Sequence, residues 1–332
     1  MPEPKFEVVG LGNAIVDVIS AQDDAFLADW GIAKDAMNLI EADRADALTE
    51  VSVNAVVTSG GSGANTIAGI ASFGGAAGYI GKVADDALGQ AFREGMQAAD
   101  VPFTTAPLRD GPGTARSIIF VTPDGHRSMN TYLGASVEFS PEDVDAEMVR
   151  SAGILYLEGY LFDKEVAKAA FVHAAEIAHA ANRKVSLTLS DRFCVDRHRD
   201  SFRHLIRNQV DILFANEDEL LSLYQTEDFD AAIALLRSET ALAAITRSEK
   251  GSVLVAGGDP IAVPAEPLAQ LVDTTGAGDQ YAAGVLMGIA RDLPLATCAR
   301  LGHIAAAEVI SHYGPRPETS LKTLAAAAGI EL

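Results

Sequence analysis

Asp273-Thr274-Thr275-Gly276-Ala277-Gly278-Asp279-Gln280 is the stretch around which this chain is organised. Three small residues stand between two acids, and a helical pattern follows at once, with Val285, Leu286 and Ile289 on its apolar face. Gly276, Ala277 and Gly278 let backbone N–H groups approach a ligand closely. At a helix start those groups are unpaired and carry the positive end of the helix dipole, which makes an anion site without a lysine. Asp279, in the first turn, is expected to be held ionised by the same field. A carboxylate beside an anion site repels a phosphate that is merely bound. It makes chemical sense where a phosphoryl group is transferred and the acid takes a proton from the attacking hydroxyl. The plain alternative is a helix cap with a glycine-rich entry.

The length of 332 residues suffices for one large α/β domain or two smaller ones. A net charge of −21 makes nucleic acid and anionic membrane poor partners. It also requires a phosphate site to rely on backbone donors, a few Arg or Lys side chains and Mg²⁺. Cys194 and Cys298 form no framework or metal spacing, which fits a reducing cytosol and predicts a cytoplasmic protein. The start Met1-Pro2-Glu3-Pro4 has neither a basic nor an apolar leader region, and no run reaches about 18 apolar residues. His173, His179, His198 and His204 show no metal-ligand spacing.

Working back towards the start, Gly10-Leu11-Gly12-Asn13-Ala14-Ile15 is close to a dinucleotide fingerprint, but Ile15 occupies the place of the third glycine and the chain continues extended. A Rossmann reading needs strand, glycine turn and helix, so it fails. Asp17 stands alone in an apolar strand-like run, where it needs a partner or a polar ligand unless it sits on an edge strand facing water. Residues 56–63 read as a strand entering a second glycine-rich helix start, Gly60-Gly61-Ser62-Gly63, with Asn65 in the first helical turn from about residue 64. That is a ligand-approaching turn or a plain βα turn. Gly81-Lys82-Val83 fails as a P-loop, because Ala76 and Val83 replace the required Gly and Ser/Thr. Residues 114–122 and 127–133 flank a Pro123-Asp124-Gly125 turn and read as a hairpin. With the strands near Asp17 and over 37–40 it predicts a small separate sheet, a natural lid that excludes water.

From residue 154 strands and helices alternate, which predicts a parallel sheet covered on both faces. Ligands of such sheets lie at the carboxyl ends of strands. Asn216, Glu219, Thr246 and Asp273 are expected at or just past such ends. Asn216 and Glu219, three apart, suit either Mg²⁺-bound water and phosphate or helix capping. Thr246-Arg247-Ser248-Glu249-Lys250-Gly251 is a polar turn that either cradles phosphates or is a plain hairpin. Ala305, Ala306 and Ala307 allow a flat base to lie against their helix, or tight helix packing.

Together, Gly60-Gly61-Ser62-Gly63-Ala64-Asn65 and Asp273 to Asp279 resemble the two signatures of the PfkB, or ribokinase-like, carbohydrate kinase family, and Asn216-Glu217-Asp218-Glu219 matches its Asn-x-x-Glu element. The resemblance covers essentially the whole chain. It implies a three-layer α/β/α sandwich with a mainly parallel central sheet and a small β-sheet lid. It further implies a single kinase unit over 1–332, with a lid from about 13–42 and 108–135 and ATP-dependent phosphorylation of a primary hydroxyl. Within the family the chain looks most like the adenosine kinase group, through Gly12-Asn13-Ala14-Ile15-Val16-Asp17, Leu189-Ser190-Asp191-Arg192-Phe193 and Cys298 to Ala306. Gln280-Tyr281 and Gly159-Tyr160-Leu161 depart from that group's pattern. By position the resemblance makes Asp279 the base for a ribose 5′-hydroxyl and Gly276, Ala277 and Gly278 the anion hole. Asn13, Asp17, Gly60, Gly61, Asn65, Arg127, Leu133 and Phe193 become acceptor-side residues. Asn216, Thr246, Arg247, Gly251, Gly278, His303 and Ala306 line ATP, and Asn216 and Glu219 meet Mg²⁺ through water. A monovalent cation such as K⁺ and a monomer or homodimer complete the expectation. A sugar kinase of the same family, or a kinase for inosine or cytidine, is the alternative.

Overall fold

Residues Ala152–Glu158 form a strand whose side chains alternate between two cores. Ile154 and Tyr156 enter one, and Leu155 and Leu157 the other. A strand with no polar face must be covered on both sides. That requirement produces the three layers. The structure is a computed structural model describing residues 3–332; Met1 and Pro2, part of the Met1-Pro2-Glu3-Pro4 start read above, lie outside the described residues.

In chain order the strands are β1 (Phe6–Leu11), β2 (Ile15–Ala21), β3 (Met37–Leu39), β4 (Val56–Gly60), β5 (Ala77–Ile80), β6 (Ala115–Val121), β7 (Arg127–Tyr132), β8 (Ala152–Glu158), β9 (Lys184–Thr188), β10 (Ile212–Asn216), β11 (Leu242–Thr246), β12 (Ser252–Val255) and β13 (Ile261–Val263). The helices are α1 (Asp24–Asp29), α2 (Ala42–Glu50), α3 (Ser62–Ser72), α4 (Ala87–Ala98), α5 (Ala146–Arg150), α6 (Glu165–Ala180), α7 (Arg192–Gln209), α8 (Glu217–Tyr224), α9 (Phe229–Leu236), α10 (Ala277–Ala290), α11 (Leu295–Val309) and α12 (Leu321–Ala327). The main sheet runs β13-β12-β11-β10-β9-β8-β1-β5. It is parallel from β11 to β5, while β12 and β13 add as antiparallel strands. Helices α6 to α9 cover one face around Phe171, Phe202, Leu220 and Ile233. Helices α3, α10, α11 and α12 cover the other around Ile67, Val285, Leu301 and Leu321.

A second sheet runs β3-β7-β6-β2-β4. One of its faces packs Ile118 and Phe120 against Leu27 and Leu48 of α1 and α2. The expected hairpin is present as β6 and β7, antiparallel from Arg116–Tyr132 to Val121–Arg127. Its fifth strand, β4, comes from outside the two segments from which a lid was expected. Strand β2 is interior, between β6 and β4, so Asp17 is not an edge-strand acid facing water. The chain passes from β1 in the main sheet to β2 in the small one through only Gly12, Asn13 and Ala14, with no helix, in agreement with the rejection of the dinucleotide fingerprint. It returns where β4 ends at Gly60 and α3 begins at Ser62. These crossings bring Asn13, Asp17, Gly61 and Asn65 to the junction of the two sheets.

Helix α7 is kinked at His198 (φ −123°, ψ 21°). Asp273 does not close a strand. Strand β13 ends at Val263, and residues 264–276 are irregular up to α10. The chain there must leave the sheet's edge and return to its centre, which a strand end cannot do.

Candidate active site

Asp279 lies in the first turn of α10. Its Oδ1 accepts from the Ser62 hydroxyl at 2.6 Å and its Oδ2 from Asn65 Nδ2 at 3.4 Å. Two glycine-rich helix starts, more than two hundred residues apart in sequence, therefore meet at one carboxylate. Protein crowds Asp279 while one side stays partly accessible. Burial raises its carboxyl to about 6, and the two hydrogen bonds hold it from rising further. The helix-start field was expected to hold it ionised. Desolvation outweighs that field, so the group titrates just below neutral pH and remains mostly charged at pH 7.

Gly276 caps the helix with φ +81°, and a Cβ there would stand 2.6 Å from Pro315 Cα, so only glycine fits. Of the expected anion-hole amides, that of Ala277 donates to Thr274 O at 3.2 Å. Gly278 faces open space. Asp273 holds the loop before the helix. Its Oδ1 accepts from Thr275 N (2.9 Å) and Oγ1 (2.6 Å), and its Oδ2 from Gly314 N (3.1 Å) and Arg127 Nη1 (2.5 Å). Burial works to raise this acid, but the bonds from Thr275, Gly314 and Arg127 outweigh it and keep it below its ordinary value. Arg127 is 7% exposed, and its Nε and Nη2 have no partner among the described residues. It thus ties the small sheet to the anion-hole loop, with two donors left over.

Asp17 is 8% exposed, and burial lifts it to about 6, with Arg127 and Arg316 pulling it down and the Asp279 charge pushing it up. Gly60 lies against it, since a Cβ there would stand 2.4 Å from Asp17 Oδ2. Gly61 caps α3 at φ +93°. Asn65 is buried, and its Oδ1 accepts from Arg316 Nε at 3.1 Å. Asn13 is fully buried. Its Nδ2 donates to Glu158 Oε1 at 3.0 Å, and its Oδ1 has no partner among the described residues. Its amide thus faces inward to Glu158. Leu133 is half-buried just after β7, and Phe193 is 74% exposed in the first turn of α7. A ring so exposed has no packed slot already built around it.

Asn216 and Glu219 close a reciprocal capping box on α8. Asn216 N and Nδ2 donate to the Glu219 carboxylate at 2.9 and 2.8 Å, and Glu219 N donates to Asn216 Oδ1 at 2.8 Å. Glu219 is buried, which raises it to about 7. Thr246 ends β11, and the following turn closes through Arg247 N to Gly251 O (2.8 Å), with Gly251 at φ +84°. Arg247 is already paired bidentately with Glu217 (3.1 and 2.7 Å) and stacked 3.7 Å over Phe229. His303 is buried between Ser252 (2.9 Å) and the Tyr281 ring (5.1 Å), and burial lowers its basicity. Ala306 is half-buried on the same helix. No cluster of three or more His, Cys, Asp or Glu side chains that could hold a metal occurs among the described residues. Each Glu219 oxygen accepts one bond and retains lone pairs for water. The donor set therefore fits a metal that keeps its waters and arrives with phosphates, and does not fit a direct protein cage.

Residues 27–322 match the family described as pfkB family carbohydrate kinase. The chain belongs to this family. As a pfkB kinase it is a phosphotransferase with an alcohol group as acceptor. It acts on small molecules, nucleoside or sugar, with ATP and a divalent metal as the family generally does. It is 54% identical to the adenosine kinase of Sinorhizobium meliloti, over 98% of this chain and 99% of that one, with a TM-score of 0.90. It is 50% identical to a probable sugar kinase protein of Rhizobium etli CFN 42, over the same shares, with a TM-score of 0.91. Adenosine kinase 2 of Arabidopsis thaliana is 25% identical over 92% of this chain and 94% of its own length. The two solved structures carry the ribokinase-like fold that the family resemblance implied, built on the two-face-covered parallel sheet that the βα rhythm predicted.

Four residues of this candidate site were given no role in the sequence reading. Ser62 stood inside a glycine run. Glu158 ends an apolar strand, the same signal that marked Asp17, and it accepts Asn13 and Gly63 N (2.8 Å) while burial lifts it to about 7. Gln280 is fully buried, its Nε2 donating to Asn65 O (2.9 Å) and Pro315 O (3.0 Å). Arg316 follows Gly314-Pro315 in a loop with no periodicity to mark it. No helix among the described residues is long and apolar enough to cross a membrane.

Proposed function

We propose that this chain phosphorylates the 5′-hydroxyl of adenosine, giving AMP and ADP. The observation that carries the reading is the Asp279 carboxylate, gripped by Ser62 and Asn65 at the start of α10 beside the open face of Gly278. A base there receives the hydroxyl proton as the oxygen attacks the γ-phosphorus, and the helix start stabilises the charge on the transferred phosphoryl group. Asp17 and Asn65 bind the ribose hydroxyls, with Gly60 and Gly61 beneath them. Leu133 and Phe193 border the base. Thr246, Gly251, His303 and Ala306 line the nucleotide. Arg247 shapes the turn through Glu217 rather than meeting phosphate itself. Asn216 and Glu219 meet magnesium through water, and the ion neutralises phosphate charge when bound. The two unpaired Arg127 donors serve the phosphoryl group as the small sheet, acting as a lid over 13–42 and 108–135, closes. The likeness to the adenosine kinase of Sinorhizobium meliloti supports adenosine.

A sugar acceptor is the second reading. The 74% exposure of Phe193 favours it, because a stacked base would need that ring held in place. ADP release measured with adenosine, inosine, cytidine, ribose and fructose separates the two. Turnover highest on adenosine is the expected result, and turnover on ribose or fructose with none on nucleosides overturns it. Repeating the assay with K⁺ replaced by a bulky organic cation tests the monovalent-cation requirement.

A further inference from the structure

The acceptor side of the cleft holds a cation outside both glycine-rich signatures. Arg316 belongs to the loop 311–320 between α11 and α12. That loop is fastened to the site. Buried Glu308 accepts from the amides of Glu318 (2.9 Å) and Thr319 (2.6 Å), and the Gly314 amide donates to Asp273 at 3.1 Å. From there the guanidinium reaches α3 and β4. Its Nε donates to Asn65 Oδ1 at 3.1 Å and its Nη1 to Ser59 Oγ at 2.8 Å.

A carboxamide has a donating and an accepting end, whereas a guanidinium only donates. The end of Asn65 that meets Arg316 must therefore be its oxygen. That choice turns the Asn65 nitrogen towards Asp279 Oδ2. Reversing the amide would set its NH₂ against a cation and its oxygen against a carboxylate. Two electrostatic conflicts would replace two hydrogen bonds.

We infer that Arg316 is a positioning residue for phosphoryl transfer, acting through Asn65, whose amide it locks in the orientation that donates to Asp279. The inference rests on Asp279 being the base. The charged and titratable groups around this cluster are Asp17 on β2, Tyr79 on β5, Arg127 on β7, Tyr156 and Glu158 on β8, and Tyr160 just after it. Burial raises Asp17 and Asp279 to about 6 and Glu158 to about 7, so the acid limb of activity is expected in this range. Losing the Arg316 charge makes Asp17 harder to ionise, and freeing the Asn65 amide does the same to Asp279 by removing a hydrogen bond that favours its charged form.

The test compares kcat and KM from pH 5 to 9 for wild type, Arg316→Met, Arg316→Gln and Arg316→Lys, with Asp279→Asn as control. The acceptor is whichever of adenosine, inosine, cytidine, ribose and fructose turns over fastest. Arg316→Met and Arg316→Gln should lose about tenfold or more in kcat, the scale of a hydrogen bond to a charged group. Their acid limb should move up by about half a pH unit or more. Arg316→Lys, which also only donates, should recover part of kcat and keep the limb in place. Folded variants with kcat within about twofold of wild type, or with activity lost and the limb unmoved, overturn the inference. So does failure of both neutral variants to fold, because the arginine would then hold the loop and not the amide. If Asp279→Asn keeps full turnover, the base reading itself has failed. If that variant is inactive while Arg316→Met is normal, only the present inference has.

Discussion

The Ser62 hydroxyl donates to Asp279 Oδ1 at 2.6 Å, joining the start of α3 to the start of α10. This bond favours the charged carboxylate, against the burial that raises it to about 6. A base must be deprotonated, so kcat/KM should fall as pH drops through about 6. Ser62→Ala removes the favouring bond and should shift the acid limb upward. The loss should be larger at pH 6 than at pH 8, on the order of three- to tenfold at the lower pH. A pH-rate profile with its limb unmoved would show that Ser62 does not tune the base.

Asp279→Asn keeps shape and loses the proton acceptor. Its kcat should fall by about 10² to 10⁴, the usual contribution of a positioned general base. Binding of ATP, followed by calorimetry, should change little. Wild-type turnover in this variant would falsify the mechanism.

Gly60→Ala would place a methyl group 2.4 Å from Asp17 Oδ2. Asp17 must then turn aside, and it sits on an interior strand with little room. The KM for the acceptor should rise about tenfold or more, the scale of one charged hydrogen bond, with the KM for ATP near normal. Equal changes in both would place Asp17 away from the acceptor.

Glu158 is fully buried and raised to about 7 by desolvation, against an ordinary 4.5. Its charged form is thus disfavoured by folding. Below about pH 4.5 the group is neutral in both states and costs nothing. The penalty grows as pH rises to about 7 and stays constant above, when the folded acid is charged as well. Glu158→Gln removes it, and Asn13 can flip so that its unpartnered Oδ1 accepts from the new amide. The variant should be more stable than wild type at pH 8 by about 1–3 kcal/mol and equal to it at pH 4.5. Denaturant melts at the two pH values check this, and an equal difference at both would refute it.

Asn216→Ala breaks the capping box of α8. Stability should drop by about 1 kcal/mol, the typical cost of a lost N-cap. If water on the metal also touches this pair, the KM for MgATP should rise at fixed Mg²⁺ and fall back as Mg²⁺ is increased. A loss of stability with unchanged nucleotide kinetics would leave the pair as a cap alone.

The layers and both glycine-rich helix starts were legible because periodicity and glycine spacing are local signals. Ile154 to Leu157 announces a strand buried on both faces without any knowledge of its neighbours. Asp17 was legible too, since an acid in an apolar run demands an explanation. Glu158 sent the same signal but stood at a strand end, where acids are unremarkable. Partnership was not legible. The grip of Ser62 on Asp279, the pairing of Arg127 with Asp273 and the reach of Arg316 to Asn65 each join residues more than a hundred positions apart. The direction of the Asn13 amide depends on Glu158, again far away in sequence. The roles of Arg247 and Phe193 rest on what surrounds their side chains, namely Glu217 and Phe229 for one and open solvent for the other.

Asp17 rides on the small sheet and Asp279 on the helix layer of the large one, and only short crossings connect the two. Burial at their junction is the largest influence on Asp17 and makes it a weaker acid, with the Asp279 charge adding a smaller push. The acidity of Asp17 is therefore a ruler laid between the sheets. Drawing them together dries the carboxyl and weakens the acid, and spreading them lets water in and strengthens it. Following the titration of that single carboxyl by NMR would report the angle between the sheets without any label attached to either.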